Sequence, residues 1–164
     1  MGFFDSLLKI EIPHRKFGVD ARDYCVVETL SVEELLLIKE FGIDASNFLS
    51  ARIGLRVNMF NFFFAYYEKQ HPDSAVGAAQ GFFFNVVQEH YAGLPEPFKS
   101  KANEHYPGRI YPSIADVVLK FCHDVSGKDI ESTSEELKKE LVNYGSICAE
   151  SVSAFFKKNM RKLA

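Results

Sequence analysis

The chain has 164 residues, of which 47% are hydrophobic and 25% are charged, so it has the composition of a globular protein and the length of one domain. Its formal net charge of −3 argues against nucleic acid as the main partner, because binding to phosphates requires a basic surface. Three scattered cysteines do not make a disulfide framework, which predicts reduced thiols and a cytoplasmic location.

The first pattern along the chain is an amphipathic stripe formed by Phe3, Phe4, Leu7 and Leu8. It predicts a segment that docks on the protein's own core, and the alternative is contact with a membrane surface. Nothing else favours a membrane, because the uncharged stretches are shorter than the roughly 20 residues of a spanning helix. Pro13 is expected to stop any helix, which makes 11–16 a linker.

An internal echo relates residues 17–24 to residues 41–48, each with Phe-Gly and then Asp. Glycine favours the left-handed conformation that ends a helix, and aspartate caps the next one, so both copies predict a helix start. The first predicted helix covers 21–30, although Tyr24-Cys25-Val26-Val27 also suits a strand. Ser31 and Glu34 form a capping box, which predicts a helix over 32–41.

The longest predicted helix, 44–70, is apolar over most of its circumference and must therefore contact several neighbours. After a turn, a second apolar helix over 75–91 is expected to return antiparallel to it. The predicted fold is all-α: a compact bundle of five to seven helices around this central hairpin, in a single domain over 1–164. Sixteen phenylalanines and no tryptophan predict a Phe-rich core. Further helices are predicted within 95–106, over 113–125, and from the capping box at 133–136 to about residue 162.

Small and amide side chains form a stripe on each helix of the hairpin, and the second stripe contains a Gly-x-x-x-Gly pattern. We expect the two stripes to face each other, because small residues allow close approach and amides can bond across the seam. The large Phe rings would then point outward. The expected facing pairs are Ala65 with Gly77, Asn61 with Gly81, Asn58 with Asn85, and Gly54 with Gln88.

Arg52 and Arg56 lie one turn apart on the most apolar helix and form the first candidate ligand-binding site. A buried guanidinium needs a carboxylate partner or a bound anion. The alternatives are that both side chains reach the surface or pair with a glutamate of helix 32–41.

The Pro- and Gly-rich connection 93–112 is the second candidate site. Long connections in compact domains are often functional, so we expect this one to be ordered and to border the largest pocket. Its candidate ligand-binding residues are His105, Tyr106 and Arg109.

Two Glu-His pairs supply candidate metal ligands, because carboxylate and imidazole groups both bind metal ions. These residues are Glu89, His90, Glu104 and His105. The alternative is that they are solvated near helix ends, since neighbouring residues on a helix diverge by about 100°.

The sequence contains no P-loop, no dinucleotide-binding glycine motif and no complete catalytic set, so it identifies no cofactor and favours a protein that is not an enzyme. We expect a cytoplasmic protein–protein interaction module that binds another protein or itself, such as an adaptor, an inhibitor or immunity-type partner, or a self-assembling unit. The alternative is a small-molecule, anion or metal-binding protein, or an enzyme, with its site at Arg52 and Arg56 or in loop 93–112.

Overall fold

The fold was analysed in a computed structural model, which describes residues 13–96, 98–106 and 110–163. These ranges form a helical bundle without strands, which confirms the predicted all-α class. Its α-helices are α1 (Pro13–Cys25), α2 (Val32–Phe41), α3 (Ala45–Gln70), α4 (Val76–Ala92), α5 (Phe98–His105), α6 (Ile114–Ser126) and α7 (Glu135–Asn159). Two short 3-10 turns, Ile130–Ser132 and Met160–Lys162, precede and follow α7.

Helices α2 and α3 begin where their capping residues predict. The Ser31 side chain accepts from the Glu34 N–H, and the Glu34 carboxylate accepts from the Ser31 N–H, which closes the capping box. Gly42 ends α2 in the left-handed conformation, with φ of 63°. The Asp44 carboxylate then caps α3 by accepting from the Asn47 N–H at 2.7 Å. The second copy of the internal echo therefore acts as predicted.

The stripe predicted at Phe3, Phe4, Leu7 and Leu8 lies outside the described residues. The prediction of a linker over 11–16 with a stop at Pro13 is wrong for its described residues, because α1 starts at Pro13. A proline is tolerated in the first turn of a helix, where its missing N–H has no intrahelical partner. The helix predicted over 21–30 is also wrong in its bounds: α1 ends at Cys25, and 27–31 has no regular structure.

Gly18 lies inside α1 and does not end a helix, so the first copy of the echo is misread. Gly18 instead marks a close contact between α1 and α4. A Cβ atom at this position would lie 2.8 Å from a ring carbon of Phe82 and 3.0 Å from the backbone nitrogen of Phe83. The glycine therefore permits the close packing of α1 against α4.

Aromatic rings fill the core around α3, which confirms the predicted Phe-rich interior. The Phe60 ring centroid lies 5.5 Å from that of Phe83 in α4 and 5.6 Å from that of Phe156 in α7. Phe17 joins the cluster from α1, with its centroid 5.5 Å from that of Phe64. One aromatic cluster thus connects four helices.

Helix α4 returns antiparallel to α3, because Gly77 near its start lies beside Glu68 while Phe83 lies beside Phe60 and Phe64. The predicted seam of small residues, however, is wrong. The contact is made by Phe83 against Phe60 and Phe64, whose centroids lie 5.5 Å away in both cases. Gly81 is exposed, and a Cβ atom added to it would meet no other described part of the chain within 4 Å. Asn85 is exposed as well, whereas Asn58 is buried. Burying large rings removes more apolar area from water than burying a stripe of small residues, so the Phe face of α4 turns inward.

Helices α6 and α7 complete the bundle. The periodicity of α6 predicts six inward residues, of which Ile114 is half-buried and the other five are buried: Val117, Val118, Phe121, Cys122 and Val125. The cap of α7 is Ser134, which accepts from the Leu137 N–H at 3.3 Å, so the capping box predicted at Thr133 and Glu136 is wrong. None of the helices described is long and apolar enough to cross a membrane.

Candidate functional site

Arg52 is buried in the centre of the bundle, with 1% of its surface exposed. Its Nη1 lies 2.7 Å from Glu34 Oε2 and donates to the Thr29 carbonyl at 3.1 Å, while Nη2 donates to the Val27 carbonyl. The expected carboxylate partner is therefore present, and it comes from helix 32–41, which was one of the alternatives for this residue. Both terminal nitrogens of Arg52 therefore donate to acceptors of the chain itself, and its guanidinium is held in place within the core.

Glu34 connects α2 to three other segments. Its carboxylate accepts from the Ser31 N–H at 2.8 Å, from the Tyr144 hydroxyl and from Arg52. Burial acts to raise the pKa of Glu34, but the hydrogen bonds from Tyr144, Ser31 and Arg52 outweigh it and hold the pKa below its usual value. The Tyr144 hydroxyl shows the reverse effect, because burial and its bond to the carboxylate raise its pKa. This network fixes α2 against α3 and α7.

Arg56 is half-buried one turn further along α3 and has different neighbours. Its Nη1 donates to the Tyr24 carbonyl at 3.0 Å, and its guanidinium carbon lies 4.8 Å from the centroid of the Tyr24 ring. Within the described ranges it forms no salt bridge with a carboxylate. Of the two predicted arginines, Arg56 is the one whose charge remains open to a ligand.

A pocket of about 760 Å³ lies between α7 on one side and α2 with the preceding segment 27–31 on the other, and both arginines line it. We call it the α2–α7 groove. Its α7 wall is one helical face that extends over three turns, formed by Glu140, Asn143, Tyr144, Ile147, Cys148 and Ser151. No described residue of 93–112 lines this pocket, which counts against the prediction that the loop borders the largest pocket. The loop borders a smaller pocket of about 610 Å³, which Lys99, Asn103 and Tyr106 line.

Helix α2 has apolar residues on its exposed side as well as on its buried side. Glu34 and Ile38 are buried against the bundle, whereas Val32, Leu35 and Leu36 are 68%, 50% and 60% exposed. The three exposed residues have helical spacing and form one surface, which we call the α2 outer face. Our reading of the sequence missed it. The available signal was the run Leu35-Leu36-Leu37-Ile38, which covers too much of the helix circumference for one buried face.

His105 is buried and fixes α5 to its neighbours, so it does not face a ligand pocket. Its Nε2 lies 3.0 Å from Asn47 Oδ1 and its Nδ1 lies 3.3 Å from Asp124 Oδ1. Gly54 faces the His105 backbone, where a Cβ atom would approach the carbonyl oxygen to 2.8 Å. Tyr106 accepts a hydrogen bond from Asn61 Nδ2 at 3.2 Å. Arg109 lies outside the described residues.

The four predicted metal ligands do not form a site in the structure. The described ranges contain no group of three or more His, Cys, Asp or Glu side chains placed to hold a metal ion. Glu89 and Glu104 are exposed, while His90 is half-buried, which lowers its pKa. His105 is turned toward Asn47 and Asp124.

Comparisons of the chain with models of protein families, with curated proteins and with solved structures find no match.

Proposed function

We propose that the chain is a protein–protein interaction module whose contact surface is the α2 outer face together with the α2–α7 groove. The observation that carries this proposal is the exposure of Val32, Leu35 and Leu36 on a helix whose opposite face is already buried. A contiguous exposed apolar patch is typical of a binding surface, because it costs free energy to leave it in water.

The surroundings of the patch support the proposal. Val27 is 42% exposed and Ile147 is 54% exposed, and both line the adjoining groove. They add apolar surface to the groove between α2 and α7. The buried Arg52–Glu34 pair lies behind this surface and holds its walls in place. A preformed surface loses little conformational entropy when a partner binds, which favours affinity.

Site-specific photo-cross-linking in the cells that produce the protein tests the proposal. A photoreactive amino acid replaces Leu36 in one variant and Ile147 in a second. A third variant carries it at Leu119, which is 43% exposed on α6 and does not line the groove. We expect a discrete cross-linked protein from positions 36 and 147 and none from 119. A further change, Leu35→Asp, should reduce the yield from position 36, because it places a charge in the apolar contact.

Equal products from all three positions, or none from 36 and 147, would contradict the proposal. The mass of the product identifies the partner class, because a second copy of this chain gives twice the mass of the monomer and another protein gives a different sum.

A small anion bound at Arg56 is the second candidate function. The observation that favours it is the missing carboxylate partner of Arg56 in the described ranges, in a pocket of about 760 Å³. Native mass spectrometry of the purified protein tests it: a bound anionic compound that is absent from Arg56→Gln would favour this function over the interaction module.

A further inference from the structure

The two ends of the α2–α7 groove carry opposite charges. Glu33 and Glu140 line one end. Both are placed there through Tyr144: Glu140 precedes it by one turn of α7, and its hydroxyl bonds to Glu34, the neighbour of Glu33. Arg56 lines the other end, over the Tyr24 ring, and Cys148 and Ser151 of α7 lie there too. The groove therefore has an acidic end and a basic end.

These charges are not neutralised by neighbouring side chains of the described ranges. Neither Glu33, Glu140 nor Arg56 forms a salt bridge there. Leu37 and Ile147 are apolar side chains that line the same groove, and Ile147 lies between Glu140 and Ser151 along α7. Along its length the surface thus changes from acidic through apolar to basic.

From this arrangement we infer that the groove binds a peptide segment of a partner protein with a complementary charge pattern, an inference that rests on the proposed function. The basic side chain of this segment binds between Glu33 and Glu140, and its carboxylate forms an ion pair with Arg56. The apolar side chains between these two charges pack on Leu37 and Ile147. A guanidinium has five N–H donors, so Arg56 can keep its bond to the Tyr24 carbonyl and still bind a carboxylate.

The length of the groove sets the spacing of the two charges in the ligand. Residues 140 and 148 of α7 are about 12 Å apart along the helix axis at a rise of about 1.5 Å per residue. An extended peptide advances about 3.3 Å per residue, so the basic residue and the carboxylate should be separated by about four positions. We expect this extended spacing. A separation of about eight positions would instead indicate a helical peptide, so the observed spacing distinguishes the two backbone conformations.

Selection from a random-peptide display library on the purified full-length protein tests the inference. Peptides that also bind a Leu36→Asp, Ile147→Asp double variant are removed, so that the remaining peptides depend on the proposed surface. We expect the survivors to share a basic residue and a carboxylate about four positions apart, with apolar residues between them.

Binding measurements on one selected peptide then assign each charge. Arg56→Gln should weaken binding by about tenfold, and replacing the peptide carboxylate by an amide should weaken binding to the wild type but not to Arg56→Gln. Glu140→Gln should show the same relation with the basic residue of the peptide. Lys157→Gln is the control, because Lys157 is an exposed cation of α7 outside the groove. This variant should bind the peptide with the affinity of the wild type.

Each other result overturns a defined part of the account. Peptides that need Leu36 and Ile147 but ignore Arg56→Gln and Glu140→Gln would overturn the charge pattern and leave the proposed function in place. If every peptide that binds the wild type also binds the double variant, both are overturned. If no peptide of the library binds the wild type, the inference alone is overturned, because the cross-linking experiment decides the function. Tight binding of citrate that depends on Arg56 would reassign the site to a small anion.

Discussion

Replacing Arg52 by methionine should destabilise the protein by about 3–5 kcal/mol, the usual cost of removing one member of a buried ion pair. The change keeps an unbranched apolar side chain at the site but leaves the Glu34 carboxylate, 6% exposed, without its cation. The carbonyls of Val27 and Thr29 also lose their donor. Since whole domains are stable by only about 5–15 kcal/mol, the loss is a large fraction of the total.

Two further variants separate the ion pair from general packing. Arg56→Met removes one hydrogen bond to a carbonyl and one ring contact, and it should cost only about 1–2 kcal/mol. The double variant Arg52→Met, Glu34→Met leaves no unpaired buried charge. It should be less destabilised than the sum of the two single variants, by about 1–3 kcal/mol.

Urea denaturation followed by far-ultraviolet circular dichroism measures all of these free energies of unfolding. The dependence on urea concentration should be unchanged, so that a shift in midpoint reports stability alone. A cost of less than about 0.5 kcal/mol for Arg52→Met would mean that the side chain is solvated, and the buried network described here would be refuted.

Three further predictions concern Glu34, a pair of glycines and Cys148. The pKa of Glu34 is lowered, so the carboxylate contributes stability above its usual pKa of 4.5 and loses that contribution as the pH falls below 4.5. Below that pH the urea stability of Glu34→Gln should therefore fall less steeply than that of the wild type. Equal slopes would contradict the network. Gly54→Ala should destabilise the protein, because the added Cβ would approach the His105 carbonyl. Gly81→Ala should instead stabilise it by about 0.5–1 kcal/mol, because position 81 is helical and open. The same denaturation measures both, and the opposite order would refute the packing described at these two glycines. Burial raises the pKa of the Cys148 thiol to about 11. At pH 8 iodoacetamide should therefore modify Cys148 roughly a hundredfold more slowly than an exposed thiol, which mass spectrometry can follow. Rapid labelling would show that the groove opens.

Local sequence signals predicted the helices well where capping chemistry decides the boundary. The bounds 32–41 were predicted correctly because the Ser31–Glu34 capping box acts within the first turn of the helix and the left-handed Gly42 acts on its last turn. Pro13 and Gly18 were misread because their meaning depends on tertiary context. A proline begins a helix as readily as it follows one, and a helical glycine can mark a close contact instead of an end.

Tertiary contacts were predicted less well, because a stripe of residues does not reveal which element covers it. The small face of α4, with Gly81 and Asn85, proved to be exposed, while its Phe83 face packs on α3. The predicted hairpin seam assumed that the small face of α4 turns toward α3 and that the Phe rings point outward to other helices. Helix α1, whose start was misplaced, packs closely on α4 through Gly18 and changes which face turns inward.

The arginine site was predicted in part. Burial of Arg52 and its need for a carboxylate follow from a cation in an apolar helix, and Glu34 satisfies it. The sequence did not distinguish the paired Arg52 from the open Arg56, because the difference depends on the path of the irregular segment 27–31. Whether the chain acts through this surface stays a proposal.

The free energy of unfolding of Leu36→Gln in the full-length chain tests most directly whether the α2 outer face is a free surface. Glutamine and leucine have similar helix propensities, so the change reports on burial. We expect a difference from the wild type of less than about 0.5 kcal/mol, whereas the control Leu141→Gln, at a fully buried position of α7, should cost several times as much. A loss of more than about 2 kcal/mol at Leu36 would mean that the chain already covers this face, and it would contradict a role for it in binding a partner.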